Sequence, residues 1–176
     1  SFDELEQFLD KILEDFTPFA ALQIKLRKEK VESAVQIKFP FNEYRKGQRK
    51  LIGAAWKTIT EEKNLYGLAP TGIGKTISFL FPSIKKLGET DNQLERIFYL
   101  TAKTITRQVA EDTLKTLIVE GLRVKAVTLT AKDKMCPDCT TEQCIYGEGH
   151  FDRINAAILD ILEHETLMDR AFHPNC

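Results

Sequence analysis

Residues 64–76 of the chain read Asn-Leu-Tyr-Gly-Leu-Ala-Pro-Thr-Gly-Ile-Gly-Lys-Thr. The first five are typical of a short buried strand, and the pattern from residue 75 is that of a helix ending near Leu87. Between the two, Gly72 and Gly74 allow a turn in which successive backbone N–H groups point inward, as a bound phosphate requires. The following helix N-terminus adds a partial positive charge. We therefore predict a loop that binds the phosphates of a nucleotide.

Individual residues of this loop have separate expected roles. The ammonium group of Lys75 would reach the β- and γ-phosphates, and the hydroxyl of Thr76 would hold Mg²⁺, so these two are the candidate catalytic residues. Ala69 departs from the strict pattern, which has glycine at that position, but its small side chain keeps the turn tight. The expected ATP-binding residues of the loop are Pro70, Thr71, Gly72, Ile73, Gly74, Lys75 and Thr76.

The segments around the loop predict an α/β fold. The expected strands are 64–68, 96–100 and 124–129, and the helices between them are 75–87 and 104–119. This alternation implies a parallel sheet with helices on both faces. Together with the loop it predicts a P-loop (RecA-like) parallel sheet with flanking helices, incomplete in these 176 residues.

Upstream of the loop, the first sixteen residues predict an amphipathic helix that Pro18 ends. Its role is left open, since it would either cover a sheet or belong to a preceding domain. After it, apolar residues at 35, 37 and 39 alternate with polar ones as in a strand. We expect three parts: a helical extension (1–34), the phosphate-loop domain (35–134) and a small Cys-rich α-helical metal subdomain (135–176).

Residues 39–48 read Phe-Pro-Phe-Asn-Glu-Tyr-Arg-Lys-Gly-Gln, at the start of a helix expected over 44–59. The Gln48 amide offers one donor and one acceptor group to the edge of an adenine. Phe41 or Tyr44 would stack on the ring. Taken alone, the segment also fits an aromatic-anchored helix start. Its place before the phosphate loop favours adenine binding.

The four cysteines fall in the last quarter of the chain. Their spacing is Cys-x2-Cys-x4-Cys-x31-Cys, at Cys136, Cys139, Cys144 and Cys176. Four thiolates suit a [4Fe–4S] cluster or tetrahedral zinc, and the spacing alone does not choose between these or exclude unliganded thiols. The sequence has no membrane-length apolar run and no signal-peptide pattern, so we expect a cytoplasmic location, where such a cluster indicates metal before disulfide.

Charge is distributed unevenly although the formal net charge is only −1. Residues 45–57 contain five basic residues and no acidic one, whereas residues 136–176 contain eight acidic residues and two arginines. A basic segment beside a nucleotide site would serve phosphates, but a solvated helix face would have the same composition. Charge therefore neither requires nor excludes a nucleic-acid partner.

From about Val35 to Cys176, the order of these motifs resembles that of the XPD/DinG-like helicases, which are the iron–sulfur branch of superfamily 2. Residues 39–48 are similar to the family's adenine-recognition motif, and 69–76 to its ATP loop. Residues 99–108, Tyr-Leu-Thr-Ala-Lys-Thr-Ile-Thr-Arg-Gln, are similar to its motif Ia. The cysteines fall where the family inserts its cluster domain.

The resemblance implies that Arg45 and Gln48 recognise adenine and that the cysteines hold a [4Fe–4S] cluster. It implies a monomeric, ATP-dependent DNA helicase that moves 5′→3′ on single-stranded or forked DNA in DNA repair or replication. It also implies contacts with phosphates of the DNA backbone, which position a protein without reading sequence. The residues expected to make them are Thr101, Lys103, Thr104 and Arg107.

The sequence contains no Asp-Glu-Ala-His segment, which this family uses to hold Mg²⁺ and to orient the attacking water. It also contains no second lobe with an arginine finger. We therefore expect a fragment, separate from the remainder of its helicase chain, that binds nucleotide with negligible ATPase or helicase activity. The alternatives are a small P-loop ATPase or kinase with a zinc ribbon, and a nucleic-acid-binding module whose four cysteines hold zinc.

Overall fold

The computed structural model describes residues 2–89, 94–129 and 167–168. These residues form four helices and two short strands, which are α1 (Phe2–Gln36), α2 (Gln48–Thr60), α3 (Lys75–Leu87), α4 (Thr104–Val119), β1 (Ala126–Val127) and β2 (Leu167–Met168). The chain divides into two compact units, Leu26–Arg123 and Ser1–Lys25 with Val124–Cys176. The predicted domains are 1–34, 35–134 and 135–176. They stay predictions, because the bounds of compact units do not identify the domains of a protein family.

Three helices form the core of the unit Leu26–Arg123. Helix α2 packs against α3, and α3 packs against α4. Apolar residues recur along α3 at helical spacing and are buried, as are Ala55 of α2 and Leu117 of α4. Burying one such leucine or isoleucine contributes about 1.5–3 kcal/mol. The buried α3 residues are Ile77, Leu80, Ile84 and Leu87. This packing holds the N-terminus of α3, where the phosphate loop ends, in a fixed position.

The last turns of α1 belong to the same unit. Ala34 is buried there, and the Ser33 hydroxyl accepts a hydrogen bond from the Arg123 backbone N–H (2.9 Å). Gly88, just after α3, approaches the α1 backbone so closely that a Cβ there would lie 2.8 Å from the Val35 nitrogen. A glycine is therefore needed where these two helix ends meet.

The prediction that Pro18 ends the first helix is wrong, because α1 continues to Gln36. A proline in a helix interior costs about 3 kcal/mol. The residues after it are mostly strong helix formers (Ala, Leu, Gln, Lys, Arg and Glu), whose propensities sum over many positions, and Ala34 is buried near the helix end. The strand-like alternation expected at residues 35–39 is wrong for the same reason, since 35 and 36 close the helix.

The other three helices were all predicted, and one of them begins later than expected. Both α3 and α4 have the predicted bounds. Helix α2 begins at Gln48 instead of Tyr44, because its N-cap, Gly47, adopts a left-handed conformation (φ 82°) that interrupts the helix. Within residues 2–89 and 94–129, none of the helices has the length and apolar content that crossing a membrane requires.

The predicted parallel sheet is not found among the described residues, where the sheet consists of two short strands. Strand β1 lies within the predicted strand 124–129 and pairs in parallel with β2 (Ala126 with Leu167). The predicted strands 64–68 and 96–100 are neither helix nor strand in the structure. A strand needs the hydrogen bonds of a neighbouring strand. Most side chains of both segments are exposed, including Tyr66 at 94% and Leu100 at 89%.

Strand β2 also corrects the helix predicted over residues 152–171. Leu167 and Met168 pair with β1, so their backbone groups join a ladder and not a helical turn. The rest of that predicted helix lies outside the described residues.

Candidate nucleotide-binding site

The phosphate loop turns through two glycines before α3. Gly72 has φ 86°, and Gly74, the N-cap of α3, has φ 81° and ψ 45°. Residues with a Cβ rarely adopt this left-handed conformation. A Cβ on Gly74 would also overlap Nε2 of Gln48. Glycine at position 74 is therefore required by the turn, and a larger residue there would also displace the Gln48 amide.

Lys75 lies across this turn. Its Nζ donates hydrogen bonds to the carbonyl oxygens of Ala69 (3.0 Å) and Pro70 (3.1 Å). The side chain is exposed, so its ammonium group can exchange these neutral acceptors for charged phosphate oxygens. A phosphate oxygen adds the Coulomb attraction between two opposite charges, which a neutral carbonyl oxygen lacks. The two carbonyls thus hold the ammonium group near the loop without competing strongly with a phosphate.

Thr76, the predicted Mg²⁺ ligand, has a partner that the sequence did not reveal. Its Oγ1 lies 3.3 Å from the hydroxyl oxygen of Tyr99, and either group can donate. Tyr99 opens the 99–108 segment, yet no role had been expected for it. The two residues are separated by 23 positions, and nothing local in the sequence indicates the pairing. The structure thus joins the phosphate loop to the 99–108 segment.

The predicted adenine-recognition segment contacts the phosphate loop directly. The Arg45 guanidinium donates a hydrogen bond to the Gly72 carbonyl. Gln48 is 2% exposed, and its Oε1 accepts a hydrogen bond from the Arg45 backbone N–H (3.0 Å). A Cβ on Gly47 would lie 3.2 Å from Cδ1 of Ile73. Residues 45–48 and 72–74 therefore form one packed unit, which places both predicted adenine residues against the loop.

Aromatic rings support the start of this segment. Phe39 stacks on Tyr44 (centroids 4.3 Å apart, 24° between planes) and meets Phe81 of α3 edge-on (5.5 Å, 85°). Phe41 also meets Phe39 edge-on (5.6 Å). Of the two rings predicted to stack on adenine, Tyr44 thus already has one face against Phe39. The cluster anchors residues 39–44 to the helix that carries the phosphate loop.

The predicted DNA-binding residues lie at the start of α4. The Thr101 hydroxyl accepts a hydrogen bond from the Lys103 N–H (3.1 Å) and lies 2.8 Å from the Lys103 carbonyl. Lys103 is the N-cap of α4, and the side chains of Thr101, Lys103 and Thr104 are exposed. Arg107 instead forms an ion pair with Glu111 one turn along α4 (3.4 Å). Lys103 and Thr104 are open to a partner, whereas the Thr101 hydroxyl is engaged with the Lys103 backbone and Arg107 is engaged within its helix.

The predicted metal ligands Cys136, Cys139, Cys144 and Cys176 lie outside the described residues. The metal site stays a prediction.

The chain is similar to a known helicase and also matches a protein family. The chain is 32% identical over 75 residues to a probable ATP-dependent helicase of Methanocaldococcus jannaschii, in a match that covers 43% of this chain and 11% of the relative. The chain thus spans about a tenth of that protein's length. No solved structure matches.

The family match includes the phosphate loop and residues 99–108. Residues 49–149, more than half of the chain, match the DEAD/DEAH box helicase family. That family has the P-loop, RecA-like fold that the sequence predicts. On the length of this match, the chain belongs to the DEAD/DEAH box helicase family.

Proposed function

We propose that this chain is the ATP-binding part of an iron–sulfur DNA helicase. The observation that carries the nucleotide assignment is the packing of residues 45–48 onto residues 72–74 at the N-terminus of α3. It brings the buried Gln48 amide next to the glycine loop. One nucleotide would then meet the amide with its adenine and the loop with its phosphates. ATP and Mg²⁺ are general to the family to which the chain belongs.

Each end of the nucleotide would meet a different part of this unit. Gln48 would present its amide to adenine, with Oε1 already oriented by the Arg45 N–H. Lys75 would leave the Ala69 and Pro70 carbonyls for the β- and γ-phosphates. Thr76 would bind Mg²⁺ while Tyr99 holds its hydroxyl in place. The free N–H groups of the first α3 turn complete the phosphate site.

DNA would bind at the start of α4. Thr101, Lys103 and Thr104 expose two hydroxyls and an ammonium group, which suit backbone phosphates. Arg107 contributes less, because Glu111 offsets its charge. In the intact protein, ATP turnover would drive translocation along single-stranded DNA and the opening of forks, with 5′→3′ polarity and a role in repair resting on the family resemblance.

Calorimetric titration of the 176-residue chain with ATP and MgCl₂ tests the nucleotide site. We expect saturable binding that Lys75→Ala weakens by about 10–100-fold, since one hydrogen bond to a charged group contributes about 1.5–3 kcal/mol. Lys115→Ala, an exposed lysine of α4, is the matched control and should bind as the parent does. Equal affinity of the parent and Lys75→Ala would contradict the assignment.

The 176 residues should bind ATP without hydrolysing it, because they contain no Asp-Glu-Ala-His segment to orient the attacking water. Phosphate release at saturating ATP should match that of the Lys75→Ala variant. Turnover clearly above that variant would show that another acidic residue of this chain does the chemistry.

The four cysteines would hold the [4Fe–4S] cluster, with tetrahedral zinc as the second candidate. Four thiolates fit either group, and the protein's own part would be to supply these ligands at the observed spacing. Anaerobic purification should give a brown protein with a broad visible absorbance band that Cys139→Ser abolishes. One zinc and no iron in a colourless protein would favour the zinc-containing ATPase or nucleic-acid-binding alternatives instead.

A further inference from the structure

The first half of α1 exposes an unusual amount of apolar surface. Seven large apolar side chains between residues 2 and 16 are 46–81% exposed. At 3.6 residues per turn they lie on one side of the helix, which we call the apolar face of α1. Its residues are Phe2, Leu5, Phe8, Leu9, Ile12, Leu13 and Phe16. Contiguous apolar patches of this kind usually mark interaction sites.

The spacing within this face indicates the shape of what covers it. Positions 2, 5, 9, 12 and 16 follow one another at alternating intervals of three and four residues, as the a and d positions of a coiled coil do. Phe19 continues the series, and its ring lies 5.9 Å from that of Phe16. A second helix laid along α1 would insert its own apolar residues between these side chains.

The borders of the apolar face indicate the charge of that helix. Residues 2–16 contain six acidic residues and one basic residue. By helical position Glu6 and Asp10 lie on one border and Asp15 on the other, and all three are exposed. A second copy of α1 would bring carboxylates against carboxylates, and an anionic membrane would repel the same borders. A helix flanked by lysine or arginine would instead pair with both borders.

We propose that the apolar face of α1 is a docking site for a helix with an apolar seam and basic borders. This interaction is separate from the binding of ATP and DNA. The occupant is defined by its chemistry: leucine-like residues at a and d positions, with lysine or arginine at e and g positions.

Two synthetic helical peptides provide the test. Both have leucine at a and d positions, one with lysine and the other with glutamate at e and g. The 176-residue chain should bind the lysine peptide at least about tenfold more tightly than the glutamate peptide by fluorescence anisotropy. The double variant Leu9→Gln with Ile12→Gln should lose this binding while circular dichroism remains unchanged, because both residues are exposed and glutamine is a good helix former. Gln7→Ala, on the opposite side of α1, is the matched control.

A charge reversal sharpens the result. Glu6→Lys combined with Asp15→Lys should reverse the preference, so that the glutamate peptide binds more tightly. The proposal is overturned if neither peptide binds or if both bind equally. It is also overturned if sedimentation equilibrium shows dimers that the Leu9→Gln, Ile12→Gln variant abolishes, or if the face binds phosphatidylserine vesicles.

Discussion

The two proposed binding regions of the chain are built in different ways. At the nucleotide site, residues 45–48 and 72–74 come from separate segments and contact each other through a guanidinium, a buried amide and two glycines. At the start of α4, Thr101 and Lys103 bond to each other, and Arg107 pairs within its own helix. One region is assembled by contacts between distant segments, and the other by contacts within one short segment.

This difference agrees with what each region is proposed to bind. A nucleotide has a fixed shape, and positioning its groups before binding reduces the ordering cost. A DNA backbone repeats the same phosphate, so exposed side chains on a local frame are sufficient. The hydrogen bond between Thr76 and Tyr99 joins the two regions. We therefore expect substitutions at the nucleotide site to have large, structure-dependent effects, and those at the α4 start to have small, salt-dependent ones.

The largest effect should come from Gly74→Ala. The added Cβ would overlap the Gln48 amide and would strain a left-handed N-cap, at a cost of about 1–3 kcal/mol. ATP binding by calorimetry should disappear, and the thermal unfolding midpoint should fall. Gly53→Ala is the matched control, because Gly53 lies within α2 with open space around it. It should bind ATP normally and gain up to about 1 kcal/mol of stability. Normal ATP affinity in Gly74→Ala would show that the two segments are not interdependent.

A smaller effect is expected from Gln48→Ala. Removing the amide should weaken ATP binding about tenfold and reduce the preference for ATP over GTP, because the group that distinguishes the two base edges is lost. Gln36→Ala, at an exposed position, is the control. Competition between ATP and GTP for a fluorescent nucleotide measures both values. An unchanged ATP preference would mean that Gln48 only supports the loop.

The extent to which sequence predicted this architecture depends on the range of the interactions. Helices α3 and α4 were predicted with their observed bounds because capping and periodicity are local. The predicted helix end at Pro18 was wrong, because the residues that favour a helix and the burial near the end of α1 outweighed the effect of the proline. The family resemblance predicted Arg45 and Gln48, but their contacts with Gly72 and Gly74, and that of Tyr99 with Thr76, join segments more than twenty residues apart. A single sequence contains no local pattern that predicts such contacts.

The Tyr99→Phe substitution tests the connection between the two regions. It removes only the hydroxyl next to Thr76, so one neutral hydrogen bond of about 0.5–1.5 kcal/mol is lost. We expect a two- to tenfold loss of ATP affinity in MgCl₂ and little change in EDTA, because the effect acts through the Mg²⁺ ligand. The control is Tyr66→Phe at a fully exposed position. Equal losses of ATP affinity with and without Mg²⁺ would mean that Tyr99 stabilises the loop itself and does not act through the Mg²⁺ ligand.

The smallest effects should separate Lys103 from Arg107 on single-stranded DNA. Each phosphate contact on a single strand contributes about 0.7 to the slope of log affinity against log salt. Lys103→Ala should therefore lower that slope by about 0.7, measured by anisotropy of a labelled oligonucleotide over a salt series. Arg107→Ala should lower it by less, because Glu111 at 3.4 Å already offsets the guanidinium charge. The decisive comparison is Glu111→Gln, which should raise the slope in the parent but leave the Arg107→Ala variant nearly unchanged. If Glu111→Gln raises the slope equally in both backgrounds, the carboxylate acts on the DNA directly and not through Arg107.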